Sequence, residues 1–359
     1  MKNILLIFIL LLFSSCSVAD KQTGGKTLPH ISPPTDSISY AETMNLSQEL
    51  GDNANTTYYI EDISNDTVLI NQMYEVTSQV GQLCDNTNII MTYSLTGHAI
   101  MQTYNLTDLN LSVLRGKIFN DKLLLSGLYR EQTPEWNYTW FIIEISNNGI
   151  KVLAEGVVPN NGDSPQFIEK DGIVYIYNYD LNNTDKNGIY SYSGDEFKIA
   201  FPTNDQITYA GFSFNITNEN DVLLRSTGDE SPTVVKLKND KIIQTDVLPL
   251  YLRGLSYTDS DYIYSYHDPD NIMHDYIVYH GEKYTVYTTP YIYTCINDNL
   301  FYEENTRKLC VISLTSNQDD LISKTIYHDN NLIVRGVFYD NITGNYYFYT
   351  DEALCKIDI

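Results

Sequence analysis

From about residue 55 to the C-terminus, apolar and polar positions alternate with a period of two and show almost no helical period. Tyr, Ile, Val and Phe fill the apolar positions, and Asn, Asp and Gly break the runs. That pattern predicts short strands joined by turns. One combination keeps returning, a tight polar turn followed by an apolar strand. It reads "DNTNIIMTY" from Asp85, "NDKLLLSG" from Asn120, "KDGIVYIY" from Lys170 and "ENDVLLRS" from Glu219. It continues as "DSDYIYSY" from Asp259, "NDNLFYEE" from Asn297 and "TGNYYFYT" from Thr343, seven copies about 35 to 50 residues apart.

Each copy has a strand before the turn, one after it, and usually two more. The unit from Ala210 shows all four: "AGFSFNI", "VLLRS", "TVVKLK" and "KIIQTDVL". Four antiparallel strands, here termed A to D, repeating at this period predict an all-β chain folded as a β-propeller of seven blades. A β-sandwich, the competing all-β architecture, does not require seven copies of one unit. The last copy offers "GVFYD", "YYFYT" and "EALCKID" and then the chain ends, one strand short. Before the first copy lie "TTYYIEDI" from Thr56 and "DTVLINQMYE" from Asp66. An N-terminal strand from this region, Thr67 to Tyr74, is expected to fill the gap, close the ring and hide its open edges. In wording, "YFYTDEALCKID" from Tyr347 resembles the repeats of Tyr-Trp-Thr-Asp propellers and of TolB-like bacterial propellers. The resemblance implies the fold and no particular function.

The N-terminus breaks the strand pattern. Lys2 precedes a ten-residue apolar run, Ile4 to Phe13, too short to span a bilayer and suited to a signal peptide. The following "LFSSC", Leu12 to Cys16, resembles the lipobox of bacterial lipoproteins. That resemblance implies residues 1–16 as signal, Cys16 as the lipidated mature N-terminus, and an extracytoplasmic protein anchored to the cell membrane. An ordinary signal peptide cleaved nearby is the other reading. Residues 17–50, with "KQTGGKTLPHISPPTDS", hold no sustained apolar period and read as a flexible tether, leaving 51–359 as the propeller.

Composition narrows the partners. The chain has 359 residues, 43% hydrophobic, so a sizeable core is available. With 46 Asp and Glu against 22 Lys and Arg, the net charge is −24. Nucleic-acid binding needs a basic footprint that this chain lacks. The same charge disfavours adsorption to anionic lipid.

Besides Cys16 the cysteines are Cys84, Cys295, Cys310 and Cys355. Cys310 and Cys355 fall at the same place in consecutive copies, and Cys84 and Cys295 each fall before an anchor turn. Equivalent atoms of stacked sheets lie about 10 Å apart, beyond disulfide reach. Buried free thiols are therefore expected.

In an up-and-down blade the A–B and C–D turns share one face, and the B–C and D–A connections share the other. The A–B turns are short. The B–C connections are mostly long and include "REQTPEWNYT" from Arg130, "YDLNNTDKNG" from Tyr179, "STGDESPT" from Ser226 and "HDPDNIMHD" from His267. Functional residues gather on loops held by a rigid scaffold, so the looped face is the working face. Three Arg-Gly pairs, Arg115, Arg253 and Arg335 with the glycines that follow, sit at D–A junctions on it. Glycine there lets inner strands crowd the axis. The arginines either gather an anion at the channel mouth or staple blades to nearby acids. Trp136, Tyr138 and Trp140 share one side of an extended segment, with Trp140 placed for the core and Trp136 and Tyr138 as candidate contacts for a sugar or a protein. His267, Asp270 and His274 are weak metal candidates, with turn chemistry the plainer reading and no cofactor expected. No G-x-S-x-G, H-E-x-x-H or phosphate loop occurs. The sequence thus points to a binding protein for a protein or glycan. The alternative is a glycan hydrolase or lyase using acids near the channel.

Overall fold

The computed structural model describes residues 29–51, 56–74, 87–132, 138–158, 164–194, 196–203, 213–227, 232–239, 241–268, 275–286, 290–304, 307–314, 321–329 and 333–359. Their strands form seven sheets, six of four strands and one of five. Blade 1 runs Thr56–Ser64, Thr67–Tyr74, Thr87–Ser94 and Ala99–Asn105, and blade 2 runs Leu111–Phe119, Lys122–Gln132, Tyr138–Ser146 and Gly149–Val158. Blades 3 to 6 begin with the inner strands Phe167–Lys170, Phe214–Ile216, Leu252–Tyr257 and Tyr291–Ile296. Blade 7 takes Val334–Asp340, Asn345–Thr350 and Ala353–Ile357 from the C-terminus. Within each sheet these consecutive strands pair antiparallel, A to B to C to D. The fold is the expected seven-bladed propeller.

The ring closes through apolar contacts between every pair of neighbours. Blades 2, 3 and 4 share one cluster that includes Trp140, Tyr177, Ile189 and Phe214. Other clusters join blades 5 and 6, blades 7 and 1, blades 1 and 2, and blades 6 and 7. The seam between blades 4 and 5 is thinner, with Leu223, Val234 and Leu248 as its buried members and partly buried tyrosines around them.

The A–B turns follow the sequence signature for a mechanical reason. Two-residue hairpins that match strand twist need positive φ, which Asn, Asp and Gly tolerate best. Asn65 and Asp66 have φ 42° and 71°, and Asn297 and Asp298 have φ 49° and 58°. Asp171 and Gly172 behave alike at 53° and 71°.

The N-terminus corrects the expectation in two ways. First, the strand that completes blade 7 is Tyr40–Asn45, paired antiparallel with Ala353–Ile357. Thr67–Tyr74 is instead strand B of blade 1, and "DNTNIIMTY" leads into its strand C. Closure is N-terminal, but one blade's register lies earlier than the repeat suggested. Second, residues 17–50 are not all tether. Ile31–Ser37 adds a fifth strand, parallel to Leu321–His328, on the outer edge of blade 6. Just before it, Thr285 of blade 5 donates its N–H to the Pro29 carbonyl at 3.1 Å. The N-terminal segment therefore ties blades 5, 6 and 7 together from outside. Met44 and Leu46, each 1% exposed, anchor it in the cluster between blades 7 and 1. Burying two such side chains is worth roughly 1.5 to 3 kcal/mol each.

Candidate functional site

The sheet order places the B–C and D–A connections at one end of the ring. The strand ends Tyr74, Gln132, Asn178, Thr227 and His267 put the B–C connections that follow them on that face, while A–B turns such as 65–66, 120–121 and 297–298 close the other. The segment 75–86, which holds Cys84 and Gly81, is thus a B–C connection and lies outside the described residues, as do Trp136, Asp270, His274, Gly211 and Cys16.

Two chambers lie along the axis. One of about 520 Å³ has Tyr59, Glu61, Asn71, Arg115, Arg335 and Tyr349 among its walls. These residues come from the looped-face halves of blades 1, 2 and 7. The other, about 630 Å³, is walled by inner strands of all seven blades and reaches the A–B turns at Asp259, Asn297 and Asn341. Glu61, Arg115 and Phe338 belong to both and so form the waist between them.

The inner strand bends at this level. Register shifts fall between Ile60 and Asp62, Val113 and Arg115, Leu252 and Gly254, Ile292 and Thr294, and Val334 and Gly336. A bulge re-aims side chains and raises local twist. The glycines of the Arg-Gly pairs serve the close approach expected of them. A Cβ on Gly116 would meet Leu69 at 2.7 Å and Glu61 at 3.0 Å, in blade 1. One on Gly254 would meet Ile292 of blade 6 at 2.9 Å. Strand B supports the same level by donating across to the next blade, as Asn71 does to the Val113 carbonyl of its inner strand at 3.1 Å and Ser265 to the Pro290 carbonyl just before its inner strand at 3.0 Å.

The three arginines divide. All are exposed. Arg335 donates twice to Asp351 of its own blade, at 2.7 and 3.2 Å, an intra-blade fork rather than a staple to a neighbour. Arg115 lines the first chamber and reaches only the Leu114 carbonyl, at 3.4 Å. Its charge is felt by Glu61 without a direct ion pair. Arg253 lines neither chamber. Gly254 packs on Ile292, which sets Arg253 and Tyr291 at neighbouring places on adjacent inner strands. Tyr291 is 57% exposed, and Leu250 and Tyr251, in the linker just before Arg253, are 68% and 52% exposed. This apolar patch on the looped face carries no period in the sequence, because it is built from linker residues.

The blade staple is a residue that sequence reasoning passed over, Lys117. Its Nζ lies 3.1 Å from Asp62 of blade 1 and 2.9 Å from Glu169 of blade 3. Asp62 also accepts from the Ile118 N–H at 2.8 Å. Burial pulls the Lys117 ammonium down, but the two carboxylates outweigh it and hold it above its ordinary value. Burial dominates at Asp62 and raises it despite Lys117. The only sequence signal was a lone lysine between the apolar neighbours of "RGKIF".

Glu61 is pushed up to about 7 by burial in the channel wall, against the opposing pull of Arg115, the Asn71 amide and the Gly116 N–H. Asn71 donates to it at 3.4 Å.

Tyr138 is half-buried against the cluster that holds Trp140, not a free platform. Trp140 is fully buried and donates its indole N–H to the Tyr179 carbonyl at 2.8 Å. His267 pairs with Asp275 across strands B and C at 2.7 Å. Among the described residues no group of three metal-ligating side chains gathers. Cys295, Cys310 and Cys355 are free thiols, each pushed up to about 12 by burial.

No family model matches the chain, and no curated protein matches it either. Solved structures do. The β-propeller domain of the trilobed protease from Pyrococcus furiosus, described as having an open velcro topology, is similar at a TM-score of 0.56 and 10% identity, over 85% of this chain and 94% of that one. A chain of the mitotic checkpoint complex is similar at 0.51 and 9% identity, over 93% and 97%. At such identities the likeness shows the propeller fold alone.

Proposed function

We propose that this protein is a lipid-anchored, extracytoplasmic interaction scaffold that engages a protein partner through the looped face of its propeller. The observation that carries the reading is the asymmetry of the ring. Turns at one face are mostly short, while at the other the B–C connections of blades 1, 3 and 5 are long and Leu250, Tyr251, Arg253 and Tyr291 are exposed. Tyr and Arg dominate protein hot spots, and contiguous exposed apolar surface marks interaction sites. A propeller in a multiprotein assembly, as in the mitotic checkpoint complex, is consistent with such a role.

Anchoring would run through Cys16. Since the described strands begin at Ile31, residues 17–28 are left to act as tether, at most roughly 40 Å when extended. They would leave the ring at the rim of blades 5 and 6, where Pro29 is held. The hydrolase reading gains little. Glu61 and Asp62 are both raised carboxylates in the channel, but Asp62 is committed to Lys117, so these two do not make the independent acid pair that glycosidic cleavage uses.

The test is site-specific photo-crosslinking from position 251 in cells, followed by the same experiment with Arg253→Ala and Tyr291→Ala combined. A discrete adduct that the double variant loses, with melting unchanged, supports the scaffold. Adducts that persist in the variant, or none at all, reject it.

A further inference from the structure

The chamber beneath the looped face has a polar pattern that selects its occupant. Arg335 is already neutralised by its fork to Asp351. That leaves one cation and one anion, Arg115 and Glu61, facing the same space of about 520 Å³ without a direct ion pair. Arg115 is exposed, and among the described residues its one hydrogen bond is a 3.4 Å contact to its own strand, which leaves most of its donors to solvent or a ligand. Glu61 already accepts from the Gly116 N–H and, at 3.4 Å, from the Asn71 amide, whereas the buried Asn71 Oδ1 has no donor among the described residues. Around these groups stand the rings of Tyr59, Phe338 and Tyr349.

An anion would satisfy Arg115, but it would meet the Glu61 carboxylate and leave the Asn71 Oδ1 without a donor. A cation would satisfy Glu61 and oppose Arg115. A hydroxyl donates and accepts through one atom. A ring carrying several hydroxyls and an apolar face matches donors, acceptors and aromatic walls together, and the volume lies within the range of small-molecule sites.

We propose that this chamber is a subsite for one neutral saccharide unit, held by its hydroxyls between Glu61 and Arg115 with a sugar face against the rings. The proposal rests on the reading that the looped face is the working face, and it adds a ligand that the protein-binding patch does not require. The occupant is a neutral sugar rather than the anion expected from arginines alone.

The folded protein should be titrated with a panel of neutral mono- and disaccharides by calorimetry and ligand-observed NMR. Inorganic phosphate, succinate and tetramethylammonium serve as charged probes. At least one neutral sugar should bind, and Arg115→Ala and Glu61→Gln should each weaken it about tenfold or more, as loss of a hydrogen bond to a charged group does. Their melting temperatures report whether they fold, and Arg115→Lys, which keeps the charge but not the fork, should restore only part of the affinity. Absence of any sugar signal at tens of millimolar overturns the proposal. So does phosphate or succinate binding that Arg115→Ala abolishes, or tetramethylammonium binding that Glu61→Gln abolishes. If sugars fail while the crosslink from position 251 persists, this inference falls alone. If the crosslink fails while sugars bind, the protein partner falls and the chamber stands.

Discussion

Lys117 lies between carboxylates of the blades on either side of its own, and three charges are taken from water together. Such a group is costly to break, since removing one member strands the others. Lys117→Met should therefore lower unfolding stability by about 3 kcal/mol, read as a lower denaturant midpoint. Most of that loss should return when Asp62→Asn is added, because an amide needs no counter-charge. A single variant that unfolds like wild type would show that channel water already screens the triad. Arg115 and Arg335 are exposed and should matter far less to stability, as surface charges do. The neighbouring glycine differs again. On Gly254 any side chain would press on the Ile292 backbone at 2.9 Å, so this position reports strand spacing rather than charge.

At the level of strands, the N-terminal segment makes a graded test. A chain starting at Ser39 loses Ile31–Ser37 but keeps Tyr40–Asn45, the fourth strand of blade 7. It should fold with a reduced melting temperature. A chain starting at Leu46 leaves Ala353–Ile357 as an open edge and removes Met44 from the core, and it should aggregate or fail to melt cooperatively. Equal stability of the two would place closure elsewhere. The same strands show what the sequence made legible. Anchor turns were visible because hairpin geometry demands Asn, Asp and Gly at positive φ. Tyr40–Asn45 was invisible because an outermost strand buries one face only at its end; its first three residues are exposed and Met44 is its one buried residue. Ile31–Ser37 carries Pro33 and Pro34, which forbid a regular ladder, and its pairing skips between Ser32 and Asp36. Blade 1 was misread because the polar residues before Thr87–Ser94 imitate an A–B turn. The inner-strand glycines were legible as close approaches. The exposed patch and Lys117 were not, since a linker has no period and one charge in a strand does not name its partner.

For the molecule as a whole, pH and salt should separate two electrostatic effects that share a sign. A net charge of −24 opposes compaction, and the repulsion grows as carboxylates ionise. Glu61 adds a local effect. Its folded value of about 7 lies above the ordinary 4.5, so the folded chain holds an extra proton between those values. Its contribution is complete below pH 4.5 and is lost as pH rises through 7. Water in the chambers should keep that loss below about 3 kcal/mol. Asp66 and Asp221 are held below the ordinary carboxylate value, so their stabilisation fades only as pH falls below about 4, outside this window. Melting temperature should therefore fall from pH 5 to pH 7.5 at low salt. In 1 M NaCl the screening length is about 3 Å, and the whole-molecule repulsion is suppressed. The slope that survives should belong to the buried carboxylates Glu61 and Asp62, both raised by burial, and Glu61→Gln should remove the Glu61 share of it in high salt while leaving the low-salt slope only partly reduced. A variant with the wild-type slope in 1 M NaCl would mean that Glu61 is ionised at neutral pH in the folded chain.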